Sequence, residues 1–387
     1  MSHVIVNKRG ADRVRHGHLW IYRSDVVDTA DCQGGAVVSL HDPKGNFVGQ
    51  AFFSSSSEIA LRVLSQTKET VDREWLRSRI RAAAARRTDL KQTTQAYRLI
   101  FSEGDLLPSV IVDVYGPVLV LQTLSQGSDA LKAQLVELLA EEFAPLAIVE
   151  RNDVNVRKLE GLPLTSGSLY GEAPNELEVV VNGLKFVVAP LSGQKTGSFL
   201  DQRENHFAVR SIAHGRALDC FTFNGGFALN LATVCDHVTG LDISGEAIAL
   251  ARRNASLNHQ DHVEFRETNV FDALREMESS GERFDTIVLD PPAFAKNRAS
   301  VRAAMRGYKE INLRALKLLN PGGTLITCSC SYHLSEDAFV GLITEAAIDA
   351  RRRVQLLAKR TQAGDHPVLL GVPETYYLKC IFVRVIA

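Results

Sequence analysis

No Cys-x-x-C pair occurs in the 387 residues, which sets aside zinc ribbons and thioredoxin-like redox sites. The six cysteines, Cys32, Cys220, Cys235, Cys328, Cys330 and Cys380, are too sparse for a disulfide scaffold. No uninterrupted apolar stretch reaches the length of a membrane span. Met1-Ser2-His3-Val4 runs into Lys8, Arg9, Asp12 and Arg13 without the apolar core of a signal peptide. A soluble, cytoplasmic protein of a reducing compartment is the expectation. Net charge is also lacking: 44 basic against 45 acidic residues leave −1, so global charge announces no nucleic acid or membrane partner. The basic residues are 31 Arg and 13 Lys. Arginine suits bidentate contact with phosphate, although codon usage alone accounts for such a bias.

What is present divides into three regions. Residues 1–70 carry short strand patterns such as Ala36–Leu40 and Ile59–Leu64, separated by turn chemistry at Asp42-Pro43-Lys44-Gly45-Asn46. A small barrel is predicted there. Residues 71–190 form a second, α+β region. It opens on a helix rich in arginine, where Arg73, Arg77, Arg79, Arg81, Arg86, Arg87 and Lys91 face only Asp72, Glu74 and Asp89. Its other elements are strands at Ser109–Asp113, Val118–Thr123, Glu178–Val181 and Lys185–Val188 and a helix over Asp129–Phe143. Asn182-Gly183 marks a hairpin. From 191 to 387 strands at Ala217–Phe221, His237–Asp242, Val263–Glu267, Thr286–Asp290 and Thr324–Thr327 alternate with helical stretches. That alternation predicts an α/β domain with a parallel sheet covered on both faces.

Ligands of such sheets bind beyond the carboxyl ends of the strands, so the residues following each strand carry the information. The first strand leads into Asp219-Cys220-Phe221-Thr222-Phe223-Asn224-Gly225-Gly226. Paired glycines let a ligand approach the backbone, but G-x-G-x-x-G is absent, which disfavours a dinucleotide. Asp242 closes the second strand, placed to bind both hydroxyls of a ribose. The fourth ends in Asp290-Pro291-Pro292-Ala293-Phe294, a rigid extended shelf behind a carboxylate. This acid-Pro-Pro-x-aromatic pattern suits an S-adenosylmethionine enzyme acting beside a planar base. The fifth leads into Cys328-Ser329-Cys330-Ser331, whose two thiols point to one side in extended geometry. Either could be a nucleophile, and a buried cysteine serving as a small hydrophobe is the competing reading. No metal-ligand set at the usual spacing accompanies them. Between the last two strands, residues 296–317 hold Lys296, Arg298, Arg302, Arg306, Lys309, Arg314 and Lys317 against Glu310 alone, a candidate phosphate-binding face.

Together these residues resemble the PUA-domain 23S rRNA cytosine-5 methyltransferases of the RlmI type along essentially the whole chain. The matching segments are His18-Leu19-Trp20-Ile21-Tyr22, Ala60–Leu64, Phe101–Pro108, Gly193–Asn205, Asp290-Pro-Pro, Arg306–Asn312 and Ser329-Cys330-Ser331. The resemblance implies a PUA-like RNA-binding β-barrel, a central α+β domain and a Rossmann-like class I S-adenosylmethionine methyltransferase domain. It implies cofactor contacts at Lys195, Asp219, Phe221, Asn224, Gly225, Gly226, Asp242, Ile243, Asn269, Val270 and Asp290. Asn269 stands where the family usually carries an acid, and its amide oxygen can accept the same adenine hydrogen bond. The resemblance also implies catalysis by Cys330 and Asp290 on carbon 5 of a 23S rRNA cytosine, with no metal, and a homodimer. Lys296, Arg298, Arg302 and Arg306 are the expected RNA contacts. Two other functions stay open: an rRNA methyltransferase acting on a guanine or adenine nitrogen, and a non-catalytic RNA-binding assembly factor.

Overall fold

The computed structural model describes residues 2–193, 197–294 and 301–386. The chain divides into two compact units, one of Met1–Val180, Val188–Leu200 and Asp365–Thr375, the other of Val181–Val187, Asp201–Gly364 and Tyr376–Ala387.

The first unit begins with β1 (His3–Val6), α1 (Lys8–Arg15), β2 (Trp20–Tyr22), β3 (Val26–Asp28), β4 (Val37–His41), β5 (Phe47–Phe53) and β6 (Ile59–Ser65). The strands form one sheet in the order β2-β6-β5-β4-β1-β3. Its apolar side chains, among them Val4, Ile21, Leu40, Phe53 and Leu61, share a core with Ala11 and Val14 of α1. Next come α2 (Arg73–Ala85), β7 (Ala96–Phe101), β8 (Val110–Tyr115), β9 (Val118–Thr123), α3 (Gln126–Ala130), α4 (Lys132–Phe143), β10 (Ala147–Arg151), α5 (Val156–Leu159) and β11 (Ser166–Gly171). Strands β7 to β11 make a second sheet, antiparallel except where β9 runs parallel to β10. The helix expected over Asp129–Phe143 breaks at Leu131, between α3 and α4.

The arginines of α2 are held in ion pairs. Arg73, Arg77 and Arg81, spaced four apart and so on one helix face, pair with Glu137, Glu141 and Glu142 of α4 at 2.5–2.9 Å. Arg87 is buried in a two-pronged pair with Asp105. The segment Asp365–Thr375 belongs to this unit: the Asp365 carbonyl accepts from Arg87 at 2.7 Å and its carboxylate from the Arg98 backbone N–H at 2.9 Å.

Strands β12 (Leu177–Val181) and β13 (Leu184–Val188) follow, joined at Asn182-Gly183, whose φ values of +51° and +82° are those a two-residue hairpin turn requires.

The second unit continues with α6 (Arg203–Ala208), β14 (Arg216–Cys220), α7 (Gly226–Leu231), β15 (His237–Asp242), α8 (Gly245–Leu257), β16 (Val263–Glu267), α9 (Val270–Ser280), β17 (Phe284–Leu289), α10 (Val301–Leu318), β18 (Leu319–Ser329), α11 (Glu336–Asp349), β19 (Val354–Arg360) and β20 (Lys379–Val385). Side-chain caps start the helices: Ser244 for α8, Asn269 for α9 and Ser335 for α11. The sheet order is β16-β15-β14-β17-β18-β20-β19. The first five of these are parallel, as the alternating pattern predicts. Strand β20 is inserted antiparallel beside β18, with β19 outside it. Ile287, Leu289, Leu325 and Ile381 of the sheet pack with Tyr308 and Ile311 of α10 and Phe339 of α11. Strand order reverses between β14 and β17, which makes their carboxyl ends the expected ligand crevice.

Candidate active site

At that crevice the loop after β14 is held in a sparsely populated backbone conformation. Phe221, Phe223 and Gly225 have φ of +66°, +49° and +88°. For the two phenylalanines this is strain of the kind that surrounding structure must enforce. Asp219 enforces it: buried at the end of β14, it accepts from Thr222 Oγ1 at 2.6 Å and from the Ala228 N–H of α7 at 2.9 Å. Its Oδ1 is buried without a hydrogen-bond partner among the described residues. Burial, reinforced by nearby Asp290 and Asp242 and opposed by those hydrogen bonds, pushes the Asp219 carboxyl up to about 7.

The two glycines have separate reasons to be glycine. Gly225 needs its positive φ. Gly226 makes room for a neighbouring ring: a Cβ there would stand 2.4 Å from His206 Cε1. His206 stacks edge-on against Phe227 at 4.4 Å, and burial holds its pKa down to about 4, so it is neutral at pH 7. Ring packing on that side thus also requires a glycine at 226. Asn224 is buried, and its carbonyl accepts from Asn254 Nδ2 at 3.0 Å.

Asp242 sits at the end of β15, its Oδ2 accepting from the Phe223 N–H at 2.9 Å and its Oδ1 from the Ser244 N–H at 3.0 Å. These two bonds fix the carboxylate and leave each oxygen with acceptor capacity for a diol. Ile243, the next residue, is 70% exposed, an apolar surface that a flat base could cover. Asn269 uses its side-chain oxygen to cap α9, accepting from the Phe271 N–H at 2.9 Å, while Val270 is buried. Lys195 lies outside the described residues.

Asp290 follows β17 beside the glycine loop, its N–H donating to the Cys220 carbonyl at 3.3 Å. Gln202 orients its carboxylate, Nε2 to Oδ1 at 2.8 Å, and is itself oriented by Asn205 at 2.7 Å. After Pro291 and Pro292 the chain is pinned by Phe294, whose ring lies 4.7 Å from Tyr308 and 6.0 Å from Phe271. Tyr308 in turn meets Ser331 Oγ at 3.1 Å. The aromatic contacts thus tie the Asp290 shelf to the cysteine segment.

The two thiols of that segment differ. Cys328, within β18, is fully buried, and its Sγ lies 3.1 Å from that of Cys380, the residue opposite it in β20. Burial pushes the Cys328 thiol well up, which leaves it a protonated core residue. Cys330, just past the strand end, is half-buried. Below it Lys379, at the start of β20, is 2% exposed and donates to the Ser331 carbonyl at 2.7 Å and the Tyr377 carbonyl at 2.8 Å. Gln202 and Lys379 were not singled out from sequence. For Lys379 the usable signal was a lone lysine heading the apolar run Cys380–Val383.

On α10, Lys309 pairs with Glu345 and Asp349, Arg314 with Glu310 and Glu278, and Lys317 with Glu278. Arg302 and Arg306 are exposed, one turn apart, with no ion pair among the described residues. Lys296 and Arg298 lie outside those residues.

The crevice therefore offers a clamped carboxylate for a diol, an exposed apolar shelf, and three acids, Asp219, Asp242 and Asp290, converging on one strand-end region with a buried carboxylate oxygen unpaired. This donor set fits a nucleoside carrying a positive centre, as S-adenosylmethionine does.

Comparison with known proteins agrees. Residues 4–66 match a PUA-like domain. Residues 128–362 match the S-adenosylmethionine-dependent methyltransferase family. A protein of Erwinia tasmaniensis named ribosomal RNA large subunit methyltransferase I is 40% identical over 95% of this chain and 96% of its own. Its namesake from Shewanella amazonensis is 41% identical over 95% of both. Among solved structures, a methyltransferase complexed with SAH superposes with a TM-score of 0.86 at 22% identity, covering 100% of both chains. An S-adenosylmethionine-dependent methyltransferase from Streptococcus mutans gives 0.84 at 21%, again covering 100% of both. At those identities the structures establish the fold, a class I methyltransferase architecture. With its cofactor crevice assembled at the switch between β14 and β17, this chain is an S-adenosylmethionine-dependent methyltransferase and belongs to the ribosomal RNA large subunit methyltransferase I family.

Proposed function

We propose that the enzyme methylates carbon 5 of a cytosine in large-subunit ribosomal RNA, in the cytoplasm, through a covalent bond between Cys330 and the base. The substrate class follows the names of the relatives and the PUA-like domain. The observation that carries the chemistry is the half-exposed Cys330 following β18 beside β17, the parallel strand that leads into Asp290.

Carbon 5 of cytosine is a weak nucleophile. Bonding of Cys330 Sγ to carbon 6 places electron density on carbon 5. Asp290, held by Gln202, meets the polar edge of the ring and stabilises the charge or proton that gathers at nitrogen 3. S-adenosylmethionine, held by the 221–226 loop, Asp242 and Ile243, supplies an electrophilic methyl group. Once carbon 5 carries the methyl group, its proton passes to a base or water and the carbon 6–Sγ bond breaks, returning the Cys330 thiolate and restoring the ring. The target base must leave its stack to reach the crevice, so a loop or a loosened helix is favoured. Arg302 and Arg306 contact phosphate, and of the three parts at residues 1–70, 71–190 and 191–387 the first binds RNA while the last carries both catalysis and these two arginines.

The test is nucleoside mass spectrometry of rRNA treated with wild type and with Cys330→Ala. The variant should bind S-adenosylmethionine and form no 5-methylcytosine. Normal 5-methylcytosine formation by it would remove Cys330 from the mechanism, and a methylated purine in the wild-type reaction would replace the cytosine reading altogether.

A further inference from the structure

Lys379 is an ammonium side chain in the wrong surroundings for one. It is 2% exposed and forms no ion pair among the described residues. Its partners are two neutral carbonyls, those of Ser331 and Tyr377. A buried cation without a counter-charge is costly, and such groups persist where a charge is needed. The ionisable groups facing it are Cys330 and Glu336. Glu336 is already engaged by Lys359 and by Tyr376, each at 2.8 Å. Tyr308, which also faces Cys330, donates or accepts at Ser331 Oγ and stays protonated because burial raises its pKa. Among the described residues, Cys330 is therefore the facing group whose ionisation would complete a pair with Lys379. The backbone enforces the placement: Lys379 is registered opposite Ser329 in the β18–β20 ladder, and its Nζ grips the carbonyl of Ser331. The two residues flanking Cys330 are thus both tied to Lys379.

We propose that Lys379 is the positioning residue that keeps Cys330 as a thiolate, its buried ammonium serving as the fixed counter-charge while its hydrogen bond to Ser331 sets the direction of the Cys330 backbone. The thiol proton leaves to solvent; Lys379 keeps its own and forms no bond to substrate. This rests on Cys330 being the nucleophile. Burial brings Lys379 down to about 8, with Cys330 and Glu336 acting to raise it, so the ammonium form is held at neutral pH and lost above that value.

The experiment measures carboxamidomethylation of Cys330 by iodoacetamide between pH 5 and 10, read peptide by peptide in the mass spectrometer, for wild type, Lys379→Met and Lys379→Arg. Cys330→Ala serves as the blank, and S-adenosylmethionine binding checks folding. In wild type the midpoint should fall below the ordinary thiol range near 8.5. In Lys379→Met it should rise by about one unit or more, with an approximately tenfold slower reaction at pH 7. Lys379→Arg should recover most of the shift. An unchanged midpoint in folded Lys379→Met overturns the proposal. So does a wild-type midpoint at or above 8.5, a result independent of whether any variant folds. Alkylation does not depend on methyl transfer, so these outcomes stand apart from the fate of the Cys330 mechanism: full methylation by Cys330→Ala would remove the nucleophile while the alkylation shift still decides what Lys379 does.

Discussion

Gln202 donates its Nε2 proton to Asp290 Oδ1 at 2.8 Å, a bond that helps aim the carboxylate at the strand-end crevice. Gln202 is buried, with its own oxygen held by Asn205, so its aim is set by structure rather than by substrate. Gln202→Leu should lower the single-turnover methylation rate about 10–100-fold, the scale of a lost hydrogen bond to a charged group. S-adenosylmethionine affinity, measured by calorimetry, should stay within about threefold. An equal loss in both would make Gln202 a cofactor-loop residue instead.

Asp242 is predicted to hold the cofactor's diol while bracing Phe223 and Ser244. Asp242→Ala should weaken S-adenosylmethionine binding at least tenfold, since two charge-assisted hydrogen bonds of about 1.5–3 kcal/mol each are at stake. Asp242→Asn keeps one acceptor oxygen and should fall between. Calorimetric titration with SAH checks both.

Asp219 makes stability depend on pH. Its folded pKa of about 7 lies above the ordinary 3.8, so the folded state holds the proton more tightly than the unfolded chain does. Stability therefore falls as pH rises from about 4 to 7, and the full cost is present above 7. Asp219→Asn keeps an acceptor for Thr222 and Ala228 and removes the charge. The variant should be more stable than wild type at pH 8, by on the order of 2–4 kcal/mol, and gain nothing at pH 4. Denaturant unfolding of the cofactor-free proteins at the two pH values measures this, and a pH-independent difference would contradict it.

Arg302 and Arg306 of α10 have no ion pair among the described residues, whereas Arg73, Arg77 and Arg81 are neutralised by α4. Replacing the first pair by alanine should weaken rRNA binding and lower the salt slope by about 1.4–1.8, the value for two phosphate contacts. Replacing the α2 arginines should leave the slope unchanged. A reversed result would show that the α2 pairs open on RNA binding.

Much of the second unit was legible because its chemistry follows a local rule. Strands β15 and β16 occupy the residues that the apolar pattern marks, and the residues after each parallel strand end do gather at one crevice. Strands β19 and β20 were not foreseen. Cys380–Val383 is buried on both faces, so it lacks alternation and reads no differently from a core helix turn. The partners of the arginines were equally hidden: the acids that neutralise α2 stand more than sixty residues downstream, and charge counted in a window misses them. Gln202 and Lys379 escaped for a related reason, since each acts through an atom on a distant strand end, Asp290 Oδ1 in one case and the Ser331 carbonyl in the other. A second reason for glycine at 226 was hidden as well, because it is a histidine twenty residues earlier.

The return of Asp365–Thr375 to the first unit has a consequence in time. Arg87 and the Arg98 backbone are made more than 260 residues before Asp365, yet both donate hydrogen bonds to it. A ribosome must therefore deliver the chain through residue 365 before the first unit can reach its final hydrogen bonding. A nascent chain halted short of residue 365 would hold Arg87 against Asp105 but leave one of its guanidinium donors waiting.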